Sequence, residues 1–342
     1  MTRLIVMDCT PYGAEPSGSR RRAEEILRRL PALLPDDVIE AHWARDGGGP
    51  AADVQADNLV HATVDVSCKG GLRRWWQRGR DLRRRLQEAA YSHLLSDHGP
   101  VVAPARVRNL VTLHDLRFLH GYGGVLRSFY GRTCYGRALR RAAVVLAVAP
   151  SLGAEAQARF RLDPTRVVIA SNAVSPAFEP DPTATRQGVL VVSRDEPRKA
   201  RGAALAAARA AGLEIVVVDA VRDDAELRRH YASASWLLAP SLHEGYGMTV
   251  AEALACGTPV IATDHAAHRD IEALGARGIG FVPPPTRTAD GWSWPEAVRL
   301  LQGAPPRDLQ APTWTWDDAA RTLAAAIVGS DTCGEGPRPA LG

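Results

Sequence analysis

Lysine is almost missing from this sequence. It occurs only at Lys69 and Lys199 in 342 residues, although lysine and arginine together number 42. Arginine is thus the ordinary cation here, and Lys199 stands out against it. Cysteine is also sparse. Cys9, Cys68, Cys134, Cys256 and Cys333 are scattered and odd in number, and none forms a C-x-x-C pair. That pattern argues against a disulfide framework or a zinc site, and a reducing cytoplasm is its natural setting. No apolar run approaches the ~18 residues needed to span a bilayer. The opening MTRLIVMDCT carries an apolar run too short for a signal-peptide core, and it reads as a first strand.

What is present is the composition of a folded globular protein, 46% hydrophobic and 23% charged, with a net charge of +4. The length predicts two domains. Short apolar runs alternate with amphipathic helical patterns, the signature of a doubly wound α/β protein with parallel sheets. Leu4–Met7, Val38–Ala41, Leu59–Val60, Leu110–Leu113, Ala142–Ala149 and Val167–Ala170 read as strands of the first half. The stretch RRRAEEILRRL places Ala23, Ile26, Leu27 and Leu30 on one helical face, and Pro31 and Pro35 are expected to end that helix. A segment rich in Pro, Thr and Asp leads up to residue 187, and the break is placed near residue 180. Strands then fall at Val189–Val192, Glu214–Val218, Trp236–Ala239 and Val260–Ala262, with helices at Arg201–Ala211, Asp224–Ala234 and Thr249–Cys256 between them.

Residues 241–268 read SLHEGYGMTVAEALACGTPVIATDHAAH, with Glu244 and Glu252 on either side of a Gly-Tyr-Gly turn. A strand runs into a glycine-containing loop and then a helix that opens near Met248, with Gly257 and Pro259 closing it. Such a helix start directs unpaired N–H groups and a positive dipole end at one point, which suits a phosphate. A glycine pair in a βα loop is by itself equally a plain tight turn.

The longer string PSLHEGYGMTVAEALACGTPVIATD resembles the signature of family 4 retaining glycosyltransferases of the group 1 type, P-S-x-x-E-G-F/Y-G-x-x-x-x-E-A-x-A-x-G-x-P-V-I-A. Five more segments match that family in order: SGSRRRAEEILRRL, LVTLHDLRFLHG, SNAVSPAFEP, VVSRDEPRKARG and TWTWDDAARTL. The resemblance implies a GT-B fold, two Rossmann-like domains with parallel sheets facing across a cleft. Residues 1–180 would be the acceptor side and 181–312 the nucleotide-sugar side. Residues 313–330 would be a closing helix packing back on the first domain, and 331–342 a disordered tail. Glu244 would contact the donor sugar and Glu252 the ribose. Gly245, Tyr246, Gly247, Met248 and Thr249 would hold sugar and phosphate, and Gly18 would let the first domain approach the diphosphate.

Arg194 and Lys199 match the family's phosphate-binding cations, and both follow a strand at its carboxyl end; Arg198 is a weaker candidate beside them. His114, in TLHDL, would contact the sugar or reacting centre, and Asp115 is as readily structural as functional. In this family retention needs no protein nucleophile, and the leaving phosphate accepts the acceptor's proton in a front-face attack. A pair bracketing a diphosphate also differs from the acid and nucleophile of a glycosidase, which flank one bond. No metal or cofactor is expected. The donor would be GDP- or UDP-linked, with DEPRK, which resembles mannosyl-transferring relatives, pointing towards GDP-mannose, and a hydroxyl of a lipid-linked, glycan or small natural-product acceptor would receive the sugar.

The other conspicuous stretch is KGGLRRWWQRGRDLRRR at 69–85. Contact with an anionic membrane or a phosphorylated acceptor stands level with a solvated basic arm, and nucleic acid comes well behind both. Peripheral attachment at the inner face of the cell membrane is thus one expectation. Against the family pattern, one βα unit is absent before DDAEL, Ala173 replaces the linker glycine, and Ser193 replaces the glycine before Arg194. A GT-B sugar-nucleotide epimerase and a catalytically silent nucleotide-sugar-binding subunit remain as alternatives.

Overall fold

The computed structural model describes residues 2–69, 72–97, 101–122, 124–289 and 291–332. Residues 70–71 of the basic stretch and 333–342 of the expected tail lie outside them. The first half contains β1 (Leu4–Asp8), α1 (Gly18–Leu33), β2 (Val38–Ala44), β3 (Leu59–Val64), α2 (Leu72–Glu88), β4 (His93–Ser96) and β5 (Arg108–Leu113). It continues through α3 (Gly124–Tyr130), α4 (Gly136–Arg141), β6 (Val144–Ala147), α5 (Pro150–Phe160) and β7 (Val167–Ile169). Its seven strands pair in parallel in the order β3-β2-β1-β4-β5-β6-β7. The inner strands are apolar and buried along nearly their whole length because helices cover both faces.

After residue 186 the pattern restarts with β8 (Gln187–Val192), α6 (Arg201–Ala210), β9 (Ile215–Val218), α7 (Asp224–Ser233), β10 (Ala234–Ala239) and α8 (Met248–Ala255). Then come β11 (Val260–Thr263), α9 (Ala266–Ala273) and β12 (Ile279–Val282), followed by the hairpin β13 (Thr286–Thr288) and β14 (Gly291–Ser293). The second sheet is parallel, in the order β12-β11-β10-β8-β9. The chain passes from β9 to α7 through residues 219–223, with no further strand between them. α10 (Pro295–Leu301) packs near α6. α11 (Trp316–Thr332) returns to the first sheet, where Trp316, Ala320, Leu323 and Ile327 share a core with Ile26, Leu27 and Leu30 of α1.

The helix expected to stop at Pro31 does not stop there. α1 continues to Leu33 with Pro31 inside it. Near the end of a helix, proline forfeits only one hydrogen bond. The Leu34 N–H closes onto the carbonyls of Leu30 and Pro31, and the Asn58 amide donates to the carbonyls of Pro31, Leu34 and Asp37. Asn58 thus supplies from another segment the capping that the local sequence lacks.

From Leu72 onward the basic stretch lies in one helix, α2, and Trp76 is 61% exposed with Arg80 lying over its ring at 5.3 Å. Among the described residues, no helix is long and apolar enough to cross a membrane. A core shared by both halves joins Val111, Leu113 and Leu116 to Tyr246, Val250 and Leu254, so the two sheets meet through packed side chains.

Candidate functional site

Glu244 follows the carboxyl end of β10, and its oxygens are held by two consecutive cations. Lys199 Nζ lies 2.5 Å from Oε1, and Arg198 Nη1 lies 3.2 Å from Oε2. Both cations come from the short turn Pro197–Lys199 after β8, the strand beside β10. Burial disfavours the Glu244 charge, yet Lys199 and then Arg198 overcome it and hold the carboxyl well below the usual carboxylate range. Glu244 is therefore an anion, fixed in direction, beneath a concentration of positive charge.

The glycine turn beyond it is set by close approach. A Cβ on Gly245 would lie 1.7 Å from the backbone oxygen of His114, so the first domain's β5 loop and the second domain's β10 loop touch there. Gly247 has φ 103°, and a Cβ there would meet the His268 ring at 2.9 Å. Only glycine adopts that backbone readily. No side chain caps α8, so its first turn, at Met248 and Thr249, offers N–H groups outward. Gly18 opens α1 directly opposite, with its missing Cβ 3.4 Å from Met248 Cγ. Two helix N-termini therefore converge on one part of the cleft.

Glu252, one turn into α8, is only 2% exposed. Tyr231 donates to Oε2 at 2.9 Å, and Arg21 of α1 reaches Oε1 at 2.5 Å from the other domain. Arg21 also donates to Asp224, at 3.1 Å through Nε. Burial pushes the Glu252 carboxyl up while Arg21 and Tyr231 pull it down, and the negative charge of Asp224 adds to the rise. Both oxygens that the resemblance assigns to a ribose are thus engaged by protein in this structure.

His114, at the end of β5, is half-buried. Its Nε2 lies 2.5 Å from the backbone oxygen of Asp97 and 3.6 Å from the Asp97 carboxylate. Asp97 is 3% exposed, accepts from the Tyr12 hydroxyl and faces Arg22 Nε at 3.7 Å. Burial opposes its charge, and His114 and Arg22 restore it, so the carboxyl stays below its ordinary value. Asp115 pairs with Arg117 at 3.3 Å and binds the Arg117 N–H. Arg194 is not brought to Glu244. It sits exposed on the rim, 3.3 Å from Glu15 of the β1–α1 loop.

Glu244, Lys199, Gly245, Tyr246, Gly247, Met248, Thr249, Gly18 and His114 therefore line or brace one cleft, with Glu252 behind α8 and Arg194 at its edge. Arg198, the weaker candidate in the sequence, reaches the same carboxylate as Lys199. Adjacent residues in a short turn need not point apart as they do on a strand, and here both reach one carboxylate. Arg21, Tyr231 and Asp97 carry no local signal, since each meets its partner on another element, from 17 positions away for Asp97 and His114 to 231 for Arg21 and Glu252.

Two family descriptions cover most of the chain. "Glycosyltransferase Family 4" matches residues 16–178, and "Glycosyl transferases group 1" matches residues 166–292. No curated protein sequence matches the chain. Among solved structures, a sucrose-phosphate synthase from Thermosynechococcus elongatus aligns with 97% of this chain and 94% of its own, at 14% identity and a TM-score of 0.63. HepE from Anabaena, solved with UDP and glucose, covers 98% and 99% at 13% identity and a TM-score of 0.61. A putative UDP-N-acetylglucosamine 2-epimerase from Listeria monocytogenes covers 100% of both chains at 12% identity, with a TM-score of 0.59. At such identities the structural likeness establishes architecture, and the sequence matches carry the family. The chain belongs to the group 1 glycosyltransferases and has the GT-B fold.

Proposed function

We propose that the protein transfers a hexose-type sugar, with retention, from a nucleoside diphosphate sugar to an acceptor hydroxyl. The observation that carries this is the Glu244 carboxylate held by Lys199 and Arg198 beside the uncapped start of α8. A carboxylate fixed in this way accepts hydrogen bonds from sugar hydroxyls. The cations and helix amides beside it match the charge that develops on a departing diphosphate. Structures of HepE with UDP and with UDP-glucose support a nucleotide-sugar donor here.

In this reading the bond from the anomeric carbon to the distal phosphate oxygen breaks as the acceptor oxygen bonds to that carbon from the same face. The acceptor's proton passes to the leaving phosphate oxygen, and the nucleoside diphosphate departs. Lys199, Arg198 and Arg194, the last swinging from Glu15, neutralise the diphosphate, and no metal or cofactor is invoked. Glu252 takes the ribose hydroxyls after exchanging Arg21 for them. His114, oriented by Asp97, lies at the reacting side of the cleft.

The acceptor belongs to the first domain. A cavity of about 480 Å³ lies beyond the carboxyl ends of β2 and β3 against α2, lined by Arg45, Asp46, Ser67, Arg78 and Asp81 among others. Its position supports entry of a hydroxyl acceptor from that side, and the exposed Trp76 and arginines of α2 support contact with an anionic headgroup or membrane.

The test is release of nucleoside diphosphate from a panel of UDP-, GDP-, ADP- and dTDP-sugars with a crude acceptor extract. Release above a Glu244→Ala control that depends on the extract supports transfer. Conversion of the donor without extract would instead indicate an epimerase, and binding without turnover a silent subunit.

A further inference from the structure

Seven buried side-chain polar atoms among the described residues have no hydrogen-bond partner, and five of them belong to Ser193, His243, Tyr246, Thr263 and His265. These five sit at or just beyond the carboxyl ends of β8, β10 and β11, neighbouring strands of one sheet. Folded proteins pair nearly all such atoms, so a cluster of orphans beside a binding carboxylate marks contacts left for a ligand.

His265 is the most defined of the five. It caps α9, with its Nδ1 accepting from the His268 N–H at 3.4 Å, and its ring stacks on His268 at 3.8 Å. His268 is itself fixed, with Nδ1 bonded to the Thr263 carbonyl oxygen at 2.8 Å and its ring against Gly247. Burial, and after it His268, drives the His265 imidazole down to about 3, with the Glu244 charge acting on the ring in the opposite sense. The ring is therefore neutral, and a neutral ring that accepts at Nδ1 carries its proton on Nε2. A buried N–H donor thus sits just beyond the carboxyl end of β11, next to the strand β10 that carries the Glu244 carboxylate. The histidines are not a metal site, since among the described residues no group of three or more His, Cys, Asp and Glu converges on one point.

We propose that His265 is a specificity-determining residue of the donor site, with its Nε2–H donating to a hydroxyl oxygen of the transferred sugar while the neighbouring hydroxyl donates to Glu244. An acceptor and a donor side by side are the complement of two vicinal hydroxyls. His265 thereby reads the sugar, and the nucleotide is held elsewhere. This rests on the donor-site reading above.

The experiment is calorimetric titration of UDP-glucose, UDP-N-acetylglucosamine, GDP-mannose, ADP-glucose and dTDP-glucose, and of the matching diphosphates, into the parent, H265N and H265F. Asparagine keeps an N-cap acceptor and loses the Nε2 donor, while phenylalanine keeps the ring shape and loses both. Affinity for the preferred nucleotide sugar is expected to fall about tenfold in both variants, with the matching diphosphate unchanged within about twofold. Deoxy-sugar analogues of that donor, made one hydroxyl at a time, should include one that binds parent and H265N equally. A merely structural histidine would not produce that equality. Unchanged nucleotide-sugar affinity in both variants, or parallel losses for sugar and diphosphate, overturns the proposal. A parent that binds no nucleotide sugar and no diphosphate overturns the donor-site reading itself, and this proposal with it.

Discussion

Arg21 Nη1 lies 2.5 Å from Glu252 Oε1, so a cation of the first domain closes onto a carboxylate of the second. The same guanidinium binds Asp224, and Tyr231 holds the other Glu252 oxygen. In the proposed reaction a ribose that takes Glu252 must displace Arg21, so nucleotide and domain contact would compete for one group. In a thermal-unfolding double-mutant cycle without nucleotide, Arg21→Ala and Glu252→Ala should couple by about 1–3 kcal/mol. Saturating nucleoside diphosphate should shrink that coupling. A coupling that nucleotide leaves intact would separate Arg21 from the donor site.

Lys199 and Arg198 share Glu244, so removing either leaves one charge to fix the carboxylate. Lys199→Ala should lower kcat by about 10²–10³-fold, the usual cost of losing a preorganised electrostatic partner. The melting temperature should move little. Steady-state kinetics beside thermal unfolding checks this, and a kcat within threefold of the parent would count against it.

Gly245 and Gly18 both face the cleft but tolerate substitution differently. A Cβ at Gly245 meets the His114 backbone oxygen at 1.7 Å, whereas at Gly18 it meets the flexible Met248 side chain at 3.4 Å. Gly245→Ala must push the two loops apart. It should cost about 10²-fold in kcat/KM, the scale of a 1 Å misplacement. Gly18→Ala should stay within severalfold. Equal effects would mean that the His114–Gly245 approach does not set the cleft.

Among the described residues, five histidines are held below their ordinary value, and burial is the largest cause for each of His42, His93, His243, His265 and His268. An unfolded histidine titrates near 6.5. Below that pH the unfolded chain binds protons that the native state refuses, so stability falls with falling pH. Glu252, raised by burial, opposes this trend but is one group against five. The melting temperature should therefore drop steadily from pH 7.5 to 5.5, and less steeply in H265F. A flat profile would contradict the burial of these rings.

Much of this was legible in the sequence because it is local. Strand, glycine turn and helix start around Glu244 are contiguous, and Gly257 and Pro259 punctuate the end of α8. The apolar residues of α8 likewise marked Glu252 as buried. What stayed hidden depends on partners in other elements of the fold. Arg21 finds Glu252 across the cleft, Asn58 lets α1 run through Pro31, and Asp97 meets His114 from a neighbouring strand. β4, His93–Ser96, gives little strand signal because HLLS sets two leucines between polar ends and has no β-branched residue. His265 shows no periodicity of its own, and only the unpaired atoms around it distinguish it from an ordinary helix cap.

In the proposed reaction the two glutamates have separate partners, the transferred sugar for Glu244 and the ribose for Glu252. Kinetic constants and diphosphate affinities of Glu244→Ala and Glu252→Ala, measured with one preferred donor, test it most directly. Glu244→Ala should lower kcat by at least about 10²-fold with diphosphate affinity within about threefold of the parent, and Glu252→Ala should weaken diphosphate affinity about tenfold or more. Equal losses in both variants that track their melting temperatures would contradict it, and would make the stretch from Glu244 to Glu252 a structural element.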